Sequence, residues 1–263
     1  MPRPLDSTRG EAYWDQASRQ ATIDLDQVAA HNSQLPLAFH RSIRRRQIDR
    51  LAEEILRLAE PPTVLDLGCG PGLWAVELSS LVRSWLGYDI APAFVEEAAR
   101  QAKERGLEHL KFQVGSLLEV SLEERFDLVV LGGALGLFDD PDLPGLMQVV
   151  RRHLKPDGLA YVRVSTVPWP YPRLTIRHDL PVRYRRVEHY MRLFQSVGLK
   201  ATVERDMAFS EASLATMLTF VGRFLGISGE TCCRLAQRSF PLVRPLLDLT
   251  PLPRSSVFWL RHA

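Results

Sequence analysis

Short apolar runs alternate along this chain with stretches in which apolar residues recur every three or four positions. The runs predict strands at Thr63 to Leu67, Ser84 to Ile90, Leu110 to Val114, Phe126 to Leu131, Leu159 to Ser165, Lys200 to Arg205 and Ser255 to Leu260. The helical spacing predicts helices at Pro36 to Leu58, from Leu73 onward, and at Pro92 to Arg105, Leu143 to Leu154 and Arg186 to Val197. Pro61 and Pro62 stop the first helix, and Gly106 and Gly198 close two of the others. Strand and helix in alternation predict an α/β fold, a doubly wound and mostly parallel sheet of seven strands. Two segments depart from the alternation. Val167 to Pro181 carries four prolines and reads as neither helix nor central strand. Residues 207–254 are long and apolar, with a helix from Ser210 to Gly226 that includes Leu214, Met217, Phe220 and Phe224.

The chemistry lies where the first strand ends. Asp66 interrupts that strand, and Gly68, Gly70 and Gly72 follow at alternate positions before the helix from Leu73. A strand, a glycine turn and a helix open a nucleotide-binding sheet, because glycine lets the backbone approach a ligand. The dinucleotide fingerprint needs a glycine at its sixth place, and Leu73 stands there. Asp89 ends the second strand, where an acidic side chain in such sheets accepts hydrogen bonds from ribose hydroxyls.

An Asp before a Gly-x-Gly-x-Gly turn resembles the first motif of class I S-adenosylmethionine-dependent methyltransferases. Leu154-Lys155-Pro156-Asp157-Gly158 before an apolar strand adds to the likeness, which runs with gaps over about residues 60 to 165. The resemblance implies a Rossmann-like methyltransferase fold, with the last strand antiparallel beside the fifth. It implies S-adenosyl-L-methionine as cofactor. Asp66, Gly68, Cys69, Gly70 and Gly72 would then lie along its methionine and ribose, with Asp89 on the ribose and Ile90 beside the adenine. Ser116 and Leu117 stand where the family usually carries an acidic residue for the adenine amino group. Leu131 and Gly132 flank the transferable methyl, and an N-terminal aromatic, Tyr13, would belong to a lid over the cofactor. The resulting division is 1–59 as helical lid and first core helix, 60–206 with 255–263 as the cofactor-binding core, and 207–254 as an insertion that could form a cap.

Composition adds limits. The 263 residues carry a formal charge of +2, which speaks against nucleic acid as a partner bound through bulk charge. No apolar run reaches the roughly 18 residues of a membrane-spanning helix. Cys69 with adjacent Cys232 and Cys233 does not resemble a zinc site, so no metal is expected. The thiols read as reduced in a cytoplasmic protein.

Methyl transfer needs alignment and exclusion of water more than a dedicated catalytic motif. The acceptor side is assigned to the loop after the fourth strand, to Val167 to Pro181, and to part of the insertion. Trp169, Tyr171 and Arg173 are the candidate substrate contacts. His178 is the candidate base, with His31, His40 and His189 as others. Asp139 and Asp140 read as helix-capping or solvated residues, and most of the arginines between Arg41 and Arg50 as a solvated face. The expected reaction is methyl transfer to a small, partly apolar or aromatic acceptor. Intramolecular cyclisation with the same cofactor and a binding module without turnover are the alternatives. The apolar insertion could serve as a homodimer face.

Overall fold

The computed structural model describes residues 37–168, 173–177, 180–206, 214–215, 218–222, 224–247 and 254–263. The elements in chain order are α1 (Leu37–Ile55), β1 (Thr63–Leu67), α2 (Leu73–Leu78), β2 (Ser84–Asp89), α3 (Pro92–Glu104), β3 (Leu110–Val114) and β4 (Phe126–Leu131). They continue with α4 (Leu143–His153), β5 (Leu154–Thr166), β6 (Arg173–Arg177), β7 (Leu180–Tyr184), α5 (Val187–Ser196), β8 (Leu199–Asp206), α6 (Gly229–Leu247) and β9 (Arg254–His262). One sheet runs in the order β3-β2-β1-β4-β5-β9-β8. β9 enters antiparallel between β5 and β8, as the family resemblance implied.

Both faces of the sheet are covered, which is why β1 and β4 are apolar almost throughout. Leu65, Leu67, Val129 and Leu131 face α4 and α5 through Leu146, Met147, Val150, Tyr190 and Phe194. Val64, Leu128 and Val130 face the other way, onto Ile48, Leu51 and Ile55 of α1 and onto Ala75 and Leu78 of α2. Fully burying one aliphatic side chain of this kind is worth about 1.5–3 kcal/mol. A separate cluster joins Phe39 at the start of α1 to Leu214, Ala215, Cys233, Ala236 and Phe240. The insertion therefore packs on α1, while Phe220 and Phe224 meet edge to face and remain largely exposed.

Several sequence expectations need correction. β5 starts at Leu154, so the expected turn at Lys155 to Gly158 is taken up within the strand. The register shifts between Phe126 and Leu128 of β4, which accommodates the extra residues. The proline-rich segment holds two short strands after all. β6 and β7 pair with each other in a ribbon outside the main sheet, Arg173 opposite Tyr184 and Ile176 opposite Pro181. Such a ribbon has only edges, where proline is tolerated. Arg41, Arg45 and Arg46 of α1 are exposed as expected, and Arg50 is the departure. Arg50 holds Glu204 of β8 at 2.9 Å and Glu54 at 2.7 Å, and its guanidinium lies over the Trp259 ring.

Candidate active site at the carboxyl ends of the strands

The glycine turn is shaped by two constraints. Gly72 has φ +77° as it enters α2, and a Cβ there would come within 2.8 Å of Ala98 Cβ on α3. Gly68 has φ +83°, and a Cβ there would lie 3.2 Å from Ala134 and 3.7 Å from Leu117. Positive φ and close approach both call for glycine. These contacts also bring together the loops after β1, β3 and β4. Gly68 and Cys69 donate their backbone N–H groups to Tyr88 O, which ties the turn to β2. Gly70 is open, with nothing within 4 Å of where its Cβ would be.

Two carboxylates lie beside this turn. Asp66 is buried, and burial, reinforced by the charge of Asp89, pushes its pKa up to about 7. The nearby Trp85 indole draws it back only slightly, since Trp85 Nε1 lies outside hydrogen-bonding geometry to any partner. Asp89 accepts from Gly70 N at 2.8 Å through Oδ2 and from Ala91 N at 3.0 Å through Oδ1. Burial raises its pKa too, against the pull of those N–H groups. The Cys69 thiol is pushed well up by burial and by both carboxylates. Among the described residues neither carboxylate has a lysine or arginine partner.

This donor set fits S-adenosylmethionine. A carboxylate offers about four lone-pair positions. Asp89 uses two on the backbone and keeps others for a ribose diol. Asp66 lacks a cation, and the cofactor carries positive charge at its methionine end. The open backbone at Gly70 leaves room for close approach.

Of the other candidate cofactor residues, Ile90 is partly exposed at the end of β2 and Ser116 partly exposed after β3. Leu117 is buried against Gly68, and Gly132 is partly exposed after β4. Leu131 is fully buried in the core below the site. Tyr13, Trp169, Tyr171, His178, His31 and the lid segment lie outside the described residues. Arg173 opens β6, with only its backbone described. His189 stands 3.8 Å from Asp140, and burial lowers its pKa.

Asp139 is buried rather than solvated, and Asp140, though exposed, is paired rather than free. Asp139 pairs with Arg183 of β7, while Asp140 accepts from Arg185 Nε at 2.6 Å. The Arg185 side chain is fully buried and also donates to Phe138 O at 2.7 Å. Val182 lies 3.5 Å from a Cβ placed on Gly136. The β6–β7 ribbon is thus pinned onto the loop that follows β4. Sequence reasoning missed this clamp because its halves are 44 and 45 residues apart. It also missed Trp74, whose ring reaches Gly132, and Arg163, whose guanidinium reaches Gly132 and Gly133. A charged residue within the apolar run of β5 was the available signal. A basic depression of about 410 Å³, lined by Arg125, Arg151, Arg152 and His262, lies at the opposite end of the sheet.

Fold and site together define an α/β protein built to hold an adenosyl cofactor across its central strand ends. Residues 64–158 match the methyltransferase domain family. Aklanonic acid methyltransferase DauC from a Streptomyces species is 30% identical over 196 residues, 68% of this chain and 84% of that protein. A demethylmenaquinone methyltransferase from Lactococcus lactis is 31% identical over 118 residues, 43% of this chain and 44% of its own length. The crystal structure of Burkholderia thailandensis 1,6-didemethyltoxoflavin-N1-methyltransferase, with its acceptor and S-adenosylhomocysteine bound, superposes with a TM-score of 0.61. That match covers 100% of this chain and 93% of the other at 15% identity, a likeness of fold. The chain belongs to the class I S-adenosylmethionine-dependent methyltransferases. It is an enzyme, and its cofactor is S-adenosylmethionine. No helix among the described residues is long and apolar enough to cross a membrane.

Proposed function

We propose that this enzyme methylates a small, largely apolar or aromatic acceptor by direct displacement. The observation that carries this reading is the extent of the likeness to aklanonic acid methyltransferase. Its 196 residues exceed the span of residues 64–158 and so must take in segments beyond the shared cofactor domain.

When bound, the cofactor supplies a sulfonium methyl whose departure leaves a neutral thioether. Asp89 would accept hydrogen bonds from the ribose hydroxyls, and Asp66 would face the cationic methionine end. Gly68, Cys69, Gly70 and Gly72 would lie along the cofactor, with Ile90, Ser116 and Leu117 around the base and Leu131 and Gly132 toward the methyl. The loop after β4 and the ribbon pinned to it wall the acceptor side and exclude water. Trp169, Tyr171 and Arg173 are the proposed acceptor contacts, and His178 is the proposed base for an acceptor that must lose a proton.

The test is transfer of label from methyl-labelled S-adenosylmethionine to polycyclic aromatic hydroxyl compounds and acids. Labelled methylated product with equimolar S-adenosylhomocysteine supports the reading. Tight S-adenosylhomocysteine binding together with acceptor-dependent methylation of protein or RNA only would contradict it.

A further inference from the structure

Arg163 is a cation in the packed part of β5. Its neighbours Tyr161, Val162 and Val164 are buried. Its Nη2 donates to Gly132 O at 2.6 Å, and a Cβ on Gly133 would lie 3.2 Å from the same nitrogen. Its Nε is buried without a partner. Among the described residues no carboxylate reaches it. That sets it apart from Arg50, Arg183 and Arg185, each of which holds an Asp or Glu. A guanidinium keeps its charge at any ordinary pH. A partly buried and unmatched one is costly to the free protein, and an anion with two oxygens would relieve that cost through parallel hydrogen bonds.

The surroundings say where such an anion would sit. A Cβ on Gly132 would lie 3.9 Å from Cη2 of Trp74, so indole and guanidinium meet at the same short stretch of loop. Trp74 is braced in turn by Tyr161, ring centroids 5.5 Å apart. Ala134, on the other flank of that loop, meets Gly68 of the cofactor turn. The guanidinium is therefore on the β5 flank, while the turn that would cradle the cofactor is on the β1 flank.

We propose that Arg163 is the anion-binding group of the acceptor pocket, and that the acceptor is a ring-bearing molecule whose carboxylate or comparable oxyanion lies on Arg163 with its ring beside Trp74. The proposal rests on the methyl-transfer reading above.

Calorimetry tests it with benzoic, 2-naphthoic and anthracene-2-carboxylic acids and their carboxamides, titrated into enzyme saturated with S-adenosylhomocysteine. The native enzyme should prefer at least one acid over its amide by about ten- to a hundredfold, the range of a charge-assisted pair. Arg163→Gln should abolish the preference and Arg163→Lys should retain part of it. Both variants should bind S-adenosylhomocysteine as the native enzyme does. Equal binding of acids and amides, binding of neither, or an undiminished preference in Arg163→Gln overturns the proposal. So does a collapse of S-adenosylhomocysteine affinity in Arg163→Gln, which would place the cofactor's own carboxylate on the guanidinium. Failure of the native enzyme to bind S-adenosylhomocysteine would instead overturn the cofactor-site reading itself.

Discussion

The two ends of the central sheet treat charge in opposite ways. At the amino end, Asp127 of β4 accepts from Thr63 N at 2.8 Å, from Thr63 Oγ1 at 2.7 Å and from Lys155 Nζ at 2.8 Å. Burial alone would raise its pKa, but Lys155 and Thr63 outweigh that and hold it below the usual value. At the carboxyl end Asp66 has no cation, and its pKa goes up to about 7. The same side chain, one position from a strand end in both cases, is satisfied where it only joins strands. It is left wanting where a ligand should arrive. Departures from local satisfaction of this kind concentrate at functional sites.

The contrast is broken most strongly at Asp66. A pKa raised from 3.8 to about 7 means that the folded protein holds a proton the unfolded chain releases. Stability of the cofactor-free protein should therefore fall as pH rises from about 4 to 7, by at most about 4 kcal/mol. Asp66→Asn should stabilise the cofactor-free enzyme at pH 8 and leave it nearly unchanged at pH 4. Denaturant unfolding at the two pH values checks this, and destabilisation at pH 8 would show that Asp66 supports the fold.

A smaller effect is expected at the ribbon clamp. Asp139→Asn together with Asp140→Asn leaves Arg183 and Arg185 without their partners. About 1–2 kcal/mol should be lost from ribbon docking, allowing for the exposure of Asp140. The acceptor KM should rise about tenfold while S-adenosylhomocysteine affinity holds. A loss confined to cofactor binding would mean that the ribbon does not wall the acceptor side.

The smallest effect belongs to the amino end. Asp127→Asn should cost about 1 kcal/mol of stability at pH 7, because a partly exposed ion pair is screened by water. The folded pKa is lowered, so the contribution is present above the unfolded value. It should vanish as pH falls through the folded one. Thermal melts from pH 2 to pH 7 would show the two proteins converging. Impaired methyl transfer with unchanged stability would contradict the assignment of this end to structure.

The seven strands of the main sheet were legible because most are short apolar or alternating runs, and the antiparallel last strand followed from the family resemblance. The extent of β5 was not, because Lys155-Pro156-Asp157-Gly158 reads as a turn and the strand absorbs it through a shift of register. β6 and β7 were hidden by the prolines around them. Asp66, the glycines and Asp89, the proposed cofactor site, could be singled out from spacing along the chain. Arg163, Trp74 and the Arg183–Asp139 and Arg185–Asp140 pairs come together only through strand order. Along the chain their only trace is the charge of Arg163 within the apolar run of β5.

The central claim is that the unsatisfied carboxyl end is the cofactor site, with Asp89 as its principal side-chain acceptor. Calorimetry of S-adenosylhomocysteine with native enzyme and Asp89→Ala tests it directly, with a thermal melt to confirm that the variant folds. Removal of charge-assisted hydrogen bonds should weaken binding by roughly 1–3 kcal/mol, about five- to 150-fold. Undiminished affinity in a folded Asp89→Ala variant, or tight binding of NAD with none of S-adenosylhomocysteine by the native enzyme, would contradict the claim.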